Sequence, residues 1–527
     1  MVAEKMKQGT RHIMPLEGMV AGEFRHLSAP EIVCWDVTLL CNQACISCYN
    51  FERGGKQITL AESKAALEEK RAALPGHEPD LGKAMEILGA LAEGRIFEID
   101  FMGGEPMSYK HIGKLVDEAH KRGIISNFIT NGCYVDGFLE QIDEVRGDLG
   151  REEYLKKTVN HVGFSLHGPT PEKHDAFTMV DGSFDKAVEG MKRLQALGVS
   201  VGVLFSPTKD TKDDLYETVK RLVQDEGVHL HTVYLTRLVR VGGCGINKER
   251  MLDADQYLEM IEQLVKIKAD FGITAKTTDA VPYCKLLTRI KAKYKEELER
   301  MTVEEMRKFI LPYLDAVGAC YFGTDNMAVS KDGLAKICTI PPDRFNLGSV
   351  TEEGVREIWK KLAKYREPKA WAHRCMDKEA LCGLYEDCRG ACKITHAAKA
   401  EEDGARIYSQ DEMMIGAKAA AALAQYFGIA AGPEERVKEP EACIDEDAVP
   451  KFIRHIAMRP EEGGELLYEA SREVFRSGRK FLLDDAAKRF VELADGRRTL
   501  AEIAPEVGGL DAAKEMYTVL HHAGVME

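Results

Sequence analysis

The chain has 527 residues, with Lys plus Arg at 72, Asp plus Glu at 86, a net charge of -14 and 14 cysteines. No clustered basic run offers the counter-charge that a phosphate backbone needs, which argues against nucleic acid as a partner. The N-terminal stretch MVAEKMKQGTRHIMPLEGM lacks the apolar core and cleavage site of a signal peptide, so a cytoplasmic setting with reduced thiols is expected.

The length suggests two to four domains, each able to bury its own core. In the first half, short β-branched runs alternate with helical patterns. Expected strands are IVCWDVT (32–38), RIFEIDFM (95–102), IISNFIT (124–130), VGFSL (162–166), VSVGVLF (199–205) and LHTVYLT (230–236). Between them lie amphipathic stretches such as DDLYETVKRLVQDE, in which Leu215, Val219, Leu222 and Val223 share one helical face. Strands alternating with helices imply parallel pairing through right-handed crossovers, hence an α/β sheet or barrel whose ligands gather at the carboxyl ends of the strands. The distinctive motifs fall at those ends: CNQACISC (41–48), GGEP (103–106), TNG (130–132) and SLHG (165–168).

Taken singly, GGEP and TNG are turn sequences, and Ser165 is a polar strand-end residue. Their convergence on one end of one sheet, beside three cysteines, is what points to a site. Cys41, Cys45 and Cys48 supply three thiolates where a closed structural zinc site needs four. A zinc reading would recruit Cys34, which lies inside a strand. An iron–sulfur cluster with one open iron uses the triad as it stands.

The spacing C-x3-C-x2-C after WDVTLL resembles the signature of the radical S-adenosylmethionine (radical SAM) family. The resemblance implies a partial (β/α)6 barrel in which Cys41, Cys45 and Cys48 hold a 4Fe-4S cluster whose fourth iron chelates SAM. It also implies that Gly103, Gly104, Glu105 and Pro106 form the SAM amino-group site, with Thr130, Asn131 and Ser165 contacting the rest of SAM. Ser47 stands where many members carry an aromatic residue or histidine. A one-electron reductant such as flavodoxin or ferredoxin follows from the same resemblance.

Further cysteines are Cys320, Cys338, Cys375, Cys382, Cys388 and Cys392, with Cys443 alone beyond them. Cys320 and Cys338 flank MAVSKDGLAKIC, where Asp332 and Gly333 make a hairpin turn between alternating runs. With Gly333-x4-Cys338 and the run Cys382, Cys388, Cys392, this region resembles the SPASM extension of radical SAM enzymes, which holds auxiliary iron–sulfur clusters. The family pattern expects a cysteine where Glu379 stands, with Cys375 the nearest substitute, and Cys443 is displaced from its usual place. One or two auxiliary clusters are implied. Cys34 and Cys133 read as small buried hydrophobes, and Cys284 carries no readable role. Cys244, after RLVRVGG at the end of the sixth strand, is a candidate hydrogen-atom or proton donor.

The run LLTRIKAKYKEELERM reads as a solvated helical insertion. The Ala-rich segment 414–432 is interrupted by Lys418 and Gln425 and reads as a packed helix, not a membrane span. GPEERVKEPEACIDEDAVPK (432–451) has the proline and charge of a linker. Beyond it, ELLYEASREVFRSGRKFLL alternates like a small sheet, a helix capped by Asp484 follows, and Thr499 with Glu502 forms a capping box before another. This end resembles a PqqD-like module, which grips the leader of a precursor peptide by strand addition.

The expected organisation is an extension (1–29), the barrel (30–283), a helical insertion (284–316), a SPASM-like domain (317–431), a linker (432–451) and a small winged-helix-like α+β module (452–527). The expected function is modification of a leader-bearing precursor peptide by hydrogen abstraction, leading to a thioether or carbon–carbon cross-link or to side-chain oxidation. Tailoring of a cofactor, such as tetrapyrrole side-chain oxidation, is the alternative. A non-catalytic electron carrier or peptide chaperone would leave GGEP, TNG and SLHG without use.

Overall fold

The computed structural model describes residues 13–15, 27–50, 56–238 and 248–362, apart from breaks at 279, 282, 319–321, 324 and 340–345. It further describes 376–377, 380–381, 426–427 and 449–526, apart from 453–454, 462–463, 471–478 and 523–525. Strand β1 (Ile13–Pro15) stands apart from the main sheet. The main sheet comprises β2 (Ile32–Thr38), β3 (Glu98–Gly103), β4 (Ile125–Thr130), β5 (Val159–Ser165), β6 (Ser200–Phe205), β7 (Leu230–Leu235), β8 (Thr274–Thr277), β9 (Asn326–Val329), β10 (Leu334–Lys336) and β11 (Asn346–Ser349). Its order is β8–β7–β6–β5–β4–β3–β2–β9–β10–β11. All pairings from β8 to β9 are parallel, and β10 and β11 add antiparallel at the far edge.

The six strands expected from the sequence are the consecutive parallel core β2 to β7, and the structure adds one parallel strand on each flank, β8 and β9. The fold is therefore the expected α/β partial barrel, extended. Strand β5 begins at Val159, three residues before its sequence-based start, because Asn160 and His161 are polar yet buried. Asn160 donates to Asn127 Oδ1 at 3.0 Å, and the His161 ring lies 2.8 Å from Ser200 Oγ and 3.2 Å from Thr232 Oγ1. Alternation by twos sends Val33, Trp35, Val37, Ile99 and Phe101 into the helix-covered core. The opposite face carries the polar set Cys34, Asp36, Glu98, Asp100 and Asn127.

Helices Leu81–Glu93, Ile112–Lys121 and Val135–Val145 cover the first face with Ile87, Leu91, Leu115, Phe138 and Ile142. The stretch read as a solvated insertion is not solvated throughout. Helix Tyr283–Lys293 buries Cys284, Leu286, Leu287 and Ile290 in the main core, an apolar face at helical spacing hidden among the lysines. The hairpin turn at Asp332 and Gly333 is present, with Gly333 at φ 84 and Ser330 N donating to Leu334 O at 2.9 Å. Among the described residues no helix is long and apolar enough to cross a membrane.

At the C-terminal end, β12 (Ile456–Glu461), β13 (Gly464–Glu469) and β14 (Arg479–Leu483) form an antiparallel sheet, and β1 pairs antiparallel on the outer side of β14. Leu467, Phe481 and Leu483 face helices Asp485–Leu493 and Leu510–His522, making a separate small core. The expected caps are in place: Asp484 accepts from Ala487 N at 2.9 Å, and Thr499 and Glu502 form a reciprocal capping box.

The other face of this sheet docks on the amino ends of β2, β3 and β4. Tyr468 stacks on Phe97 with centroids 4.5 Å apart, beside Ile125 and Leu466. Its hydroxyl meets Glu98 Oε1 at 2.5 Å, and Lys480 Nζ meets Glu31 Oε1 at 2.8 Å. Fully buried Arg459 donates to the carbonyls of Ala29 at 3.1 Å, Pro30 at 3.0 Å and Arg95 at 3.0 Å, with its guanidinium 4.5 Å from the Phe97 ring centroid. A charge that fully desolvated is tolerable only with acceptors of this kind around it.

Candidate active site

The carboxyl ends of β2 and β3 are joined by backbone. Gly104 N donates to Thr38 O at 2.7 Å, Glu105 N to Leu40 O at 2.8 Å, and the Asn50 side chain to Gly103 O at 3.1 Å. This approach requires glycine. A Cβ on Gly103, whose φ is +127, would sit 2.1 Å from Thr38 O, and one on Gly104 would sit 2.0 Å from Leu40 O. The cysteine loop and the glycine pair are thereby held edge to edge.

Glu105 turns inward from this junction. It accepts from Thr130 Oγ1 at 2.6 Å, Asn131 N at 2.7 Å and Met107 N at 3.0 Å. Burial pushes its carboxyl up to about 7, against three donors that favour the ionised form. Thr130 in turn accepts from Gly132 N at 3.0 Å. Asn131 reaches Asn42 Oδ1 at 2.9 Å and Cys41 Sγ at 3.7 Å, while its own Oδ1 accepts from Cys133 N at 3.0 Å. GGEP, TNG and the first cysteine are thus one hydrogen-bonded unit. Pro106 opens a buried single turn, and Ser165 closes β5 beside Leu204 of β6.

Cys41, Cys45 and Cys48 are all partly exposed. Gln43 N donates to Cys41 Sγ at 3.4 Å, the Cys45 thiol to Gln43 Oε1 at 3.4 Å, and Cys48 N to Cys45 O at 3.1 Å. Three thiols on a loop that stays accessible, next to a glycine cradle with no room for a Cβ, fit a thiolate-held cluster with a small polar cosubstrate beside it.

Several members of this assembly carry no isolated sequence signal. Asn42 and Gln43 tie the loop to partners about 90 residues away, Asn131 and Cys133, besides their nearer contacts with Ser63 and Cys45. Helix Pro171–Thr178 clamps the cysteine loop, with Ala44 N donating to Thr178 O at 3.1 Å and Ile46 N to Phe177 O at 3.0 Å. Asp175 fixes that helix by accepting from Gly182 N, Ser183 Oγ and Phe184 N. The spacing Asp175 to Gly182-Ser183 was the available signal. His167 packs on Phe177 at 4.1 Å and accepts from Ser206 N at 3.1 Å, and burial holds it well below the usual imidazole range. The neutral ring is a packing and bracing group.

On the polar face of the sheet, Asp36 is buried and pushed up to about 6 by that burial, with Lys336 opposing. Tyr49, next to Cys48, is half-buried, and desolvation, with the charges of Asp36, Cys48 and Cys338, raises its phenol. Cys34 is buried with its thiol 3.9 Å from Asp100 Oδ2, and Cys133 lies under Gln43 at 3.8 Å, as small interior groups. Cys244, Cys320, Cys375, Cys382, Cys388, Cys392 and Cys443 lie outside the described residues.

Comparison with known proteins adds the family. Residues 35–222 match the Radical SAM superfamily, and residues 320–393 match SPASM, described as an iron-sulfur cluster-binding domain. The AdoMet-dependent heme synthase of Oleidesulfovibrio alaskensis is 22% identical, covering 69% of this chain and 83% of that protein. The mycofactocin maturase MftC of Mycobacterium tuberculosis is 26% identical, covering 72% of this chain and 82% of its own. The crystal structure of Streptococcus suis SuiB bound to S-adenosylmethionine aligns with a TM-score of 0.48 at 15% identity, over 73% of this chain and 77% of that one. The chain is a radical SAM superfamily enzyme with a SPASM domain, and its cofactors are accordingly a 4Fe-4S cluster, SAM and auxiliary iron–sulfur clusters.

Proposed function

We propose that the enzyme modifies a leader-bearing precursor peptide. The observation that carries this reading is the C-terminal module of β12 to β14 and its helices, a sheet-edge unit of the kind that takes an extended peptide. Similarity to a protein named as a mycofactocin maturase supports it. In this reading Cys41, Cys45 and Cys48 hold the SAM cluster. Gly103, Gly104 and Pro106 shape the bed for SAM through their backbone, Glu105 braces it, and Thr130, Asn131 and Ser165 line it. Cys320, Cys338, Cys375, Cys382, Cys388, Cys392 and Cys443 hold the auxiliary clusters, and Cys244 is the donor candidate. When bound, the cluster and SAM supply a 5′-deoxyadenosyl radical able to remove a hydrogen atom from an unactivated carbon. The chain's own contribution is to orient SAM on the glycine bed and to hold the cysteine loop under helix Pro171–Thr178. A ferredoxin or flavodoxin is the expected electron source.

Similarity to a protein named as a heme synthase favours a second reading, oxidation of tetrapyrrole side chains. The two separate in one assay. Anaerobically reconstituted enzyme with SAM and a reductant is offered peptides encoded by short neighbouring reading frames, and separately iron tetrapyrroles. Peptide mass loss of two hydrogens, absent in Cys41→Ala, Cys45→Ala and Cys48→Ala, is the expected outcome. Conversion of a tetrapyrrole with every peptide untouched would overturn the peptide reading.

A further inference from the structure

One edge of the C-terminal sheet is already occupied, by the chain itself. Strand β1 pairs antiparallel with β14 in the register Ile13 to Leu483, Met14 to Leu482 and Pro15 to Phe481. The opposite side of β14 is held by β13 through five registered pairs, Glu465 to Leu483 through Glu469 to Arg479. The outer side of β14 is therefore an edge where a further strand adds, and among the described residues β1 covers it from Phe481 to Leu483.

Three features make β1 a weak occupant. Among the described residues it is three residues long, well under the usual strand length. Pro15 has no N–H, so one of its three positions cannot donate to the ladder. Its hold also contrasts with that of the segment that follows it in sequence. Leu27 O accepts from Trp359 Nε1 at 2.9 Å, and the carbonyls of Ala29 and Pro30 accept from buried Arg459. The chain is fastened at 27–30 by side chains, and among the described residues β1 pairs with β14 over three positions.

We propose that β1 is a resident placeholder on the peptide-binding edge of the C-terminal module, displaced by an extended segment of the precursor's leader. This rests on the peptide reading above. A longer strand with a full set of amide donors pairs with more of β14 and wins by strand exchange, so the intact enzyme discriminates against short or proline-bearing peptides. The placeholder also covers an edge that would otherwise recruit strands from other chains.

The test uses the full chain and a labelled synthetic peptide of its own residues 8–20 (QGTRHIMPLEGMV) as the probe. In Ile13→Pro/Met14→Pro, all three β1 positions lack an amide donor, and the edge opens. A protease site inserted after Gly22 opens it differently, by cutting after the chain has folded. Both opened forms are expected to bind the probe at least about tenfold tighter than the intact chain, a probe carrying proline at the same two positions should not bind, and SAM cleavage without substrate should be unchanged. Leader peptides from neighbouring reading frames should compete with the probe. Equal probe affinity in intact and opened chains overturns the proposal. So does a precursor that is processed yet never competes, an outcome that leaves the peptide reading standing. Failure to process any peptide overturns that reading instead, whatever the probe does.

Discussion

At their carboxyl ends, β2 and β3 meet through backbone, with Gly103 and Gly104 pressed against Thr38 and Leu40 and no side chain between. At their amino ends the same strands carry buried ionisable side chains: Glu98 and Asp100 are bridged by Asn127, and Tyr468 and Lys480 of the C-terminal module close over Glu98 and Glu31. The first junction leaves an accessible bed for a small molecule. The second is a sealed polar seam whose energy depends on every partner being present. A backbone-shaped site should be lost by adding one methyl group, and a side-chain seam should be lost by removing a donor.

That contrast can be broken at either end. The largest effect is expected from Gly104→Ala, whose Cβ would meet Leu40 O at 2.0 Å. SAM cleavage, followed as 5′-deoxyadenosine release, should fall by more than about a hundredfold, with the C-terminal module still docked. At the other end, Arg459→Ala strands the buried carbonyls of Ala29 and Pro30 and the part-buried one of Arg95. A loss of about 3 kcal/mol in docking stability is expected, read as a lower unfolding midpoint and release of residues 452–527 by limited proteolysis.

A smaller effect should follow pH. Burial, aided by Asp100, pushes the Glu98 carboxyl up to about 8, while Tyr468 and Asn127 pull it down. Because the folded form keeps a proton that the unfolded chain has released, this group's stabilisation is full below the ordinary glutamate range. It is lost as pH rises toward about 8. Midpoints measured between about pH 6 and about pH 8 should fall in the wild type, by no more than about 1.4 kcal/mol per pH unit from this group, and Glu98→Gln should flatten the slope. A slope unchanged in Glu98→Gln would place the proton elsewhere. The smallest effect is expected from Thr499→Ala, which removes one side of the Thr499–Glu502 capping box in an exposed helix start. A loss of about 1 kcal/mol in the module's unfolding, with SAM cleavage unchanged, would match a local cap.

The sequence was readable where local chemistry decides structure. Six parallel strands announced themselves as β-branched runs, and GGEP and TNG as breaks at their ends, because strands and turns are set by neighbours within a few residues. The caps at Asp484 and Thr499 were readable for the same reason. Partners far apart in the chain were not. Nothing near Glu105 says that its carboxylate will be consumed by Thr130 and Asn131, and nothing in IAMRPE marks a strand, since Pro460 argues against one and Arg459 is bonded to residues more than 350 positions away. The pairing of Ile13–Pro15 with β14 spans most of the chain and is backbone to backbone, so no side-chain pattern encodes it.

Docking of the C-terminal sheet at the amino ends of the strands also makes the molecule a ruler. Strand β3, six residues long, runs from Glu98 beneath Tyr468 to Gly103 at the cysteine loop, a rise of about 17 Å. A peptide anchored on β14 must climb at least that distance around the outside of the protein before any of its carbons reaches the glycine bed, which takes about five extended residues and more if the path is curved. Residues closer than that to the anchored strand would be held fast yet stay out of reach, so an anchor at this end fixes where along a chain the chemistry can begin.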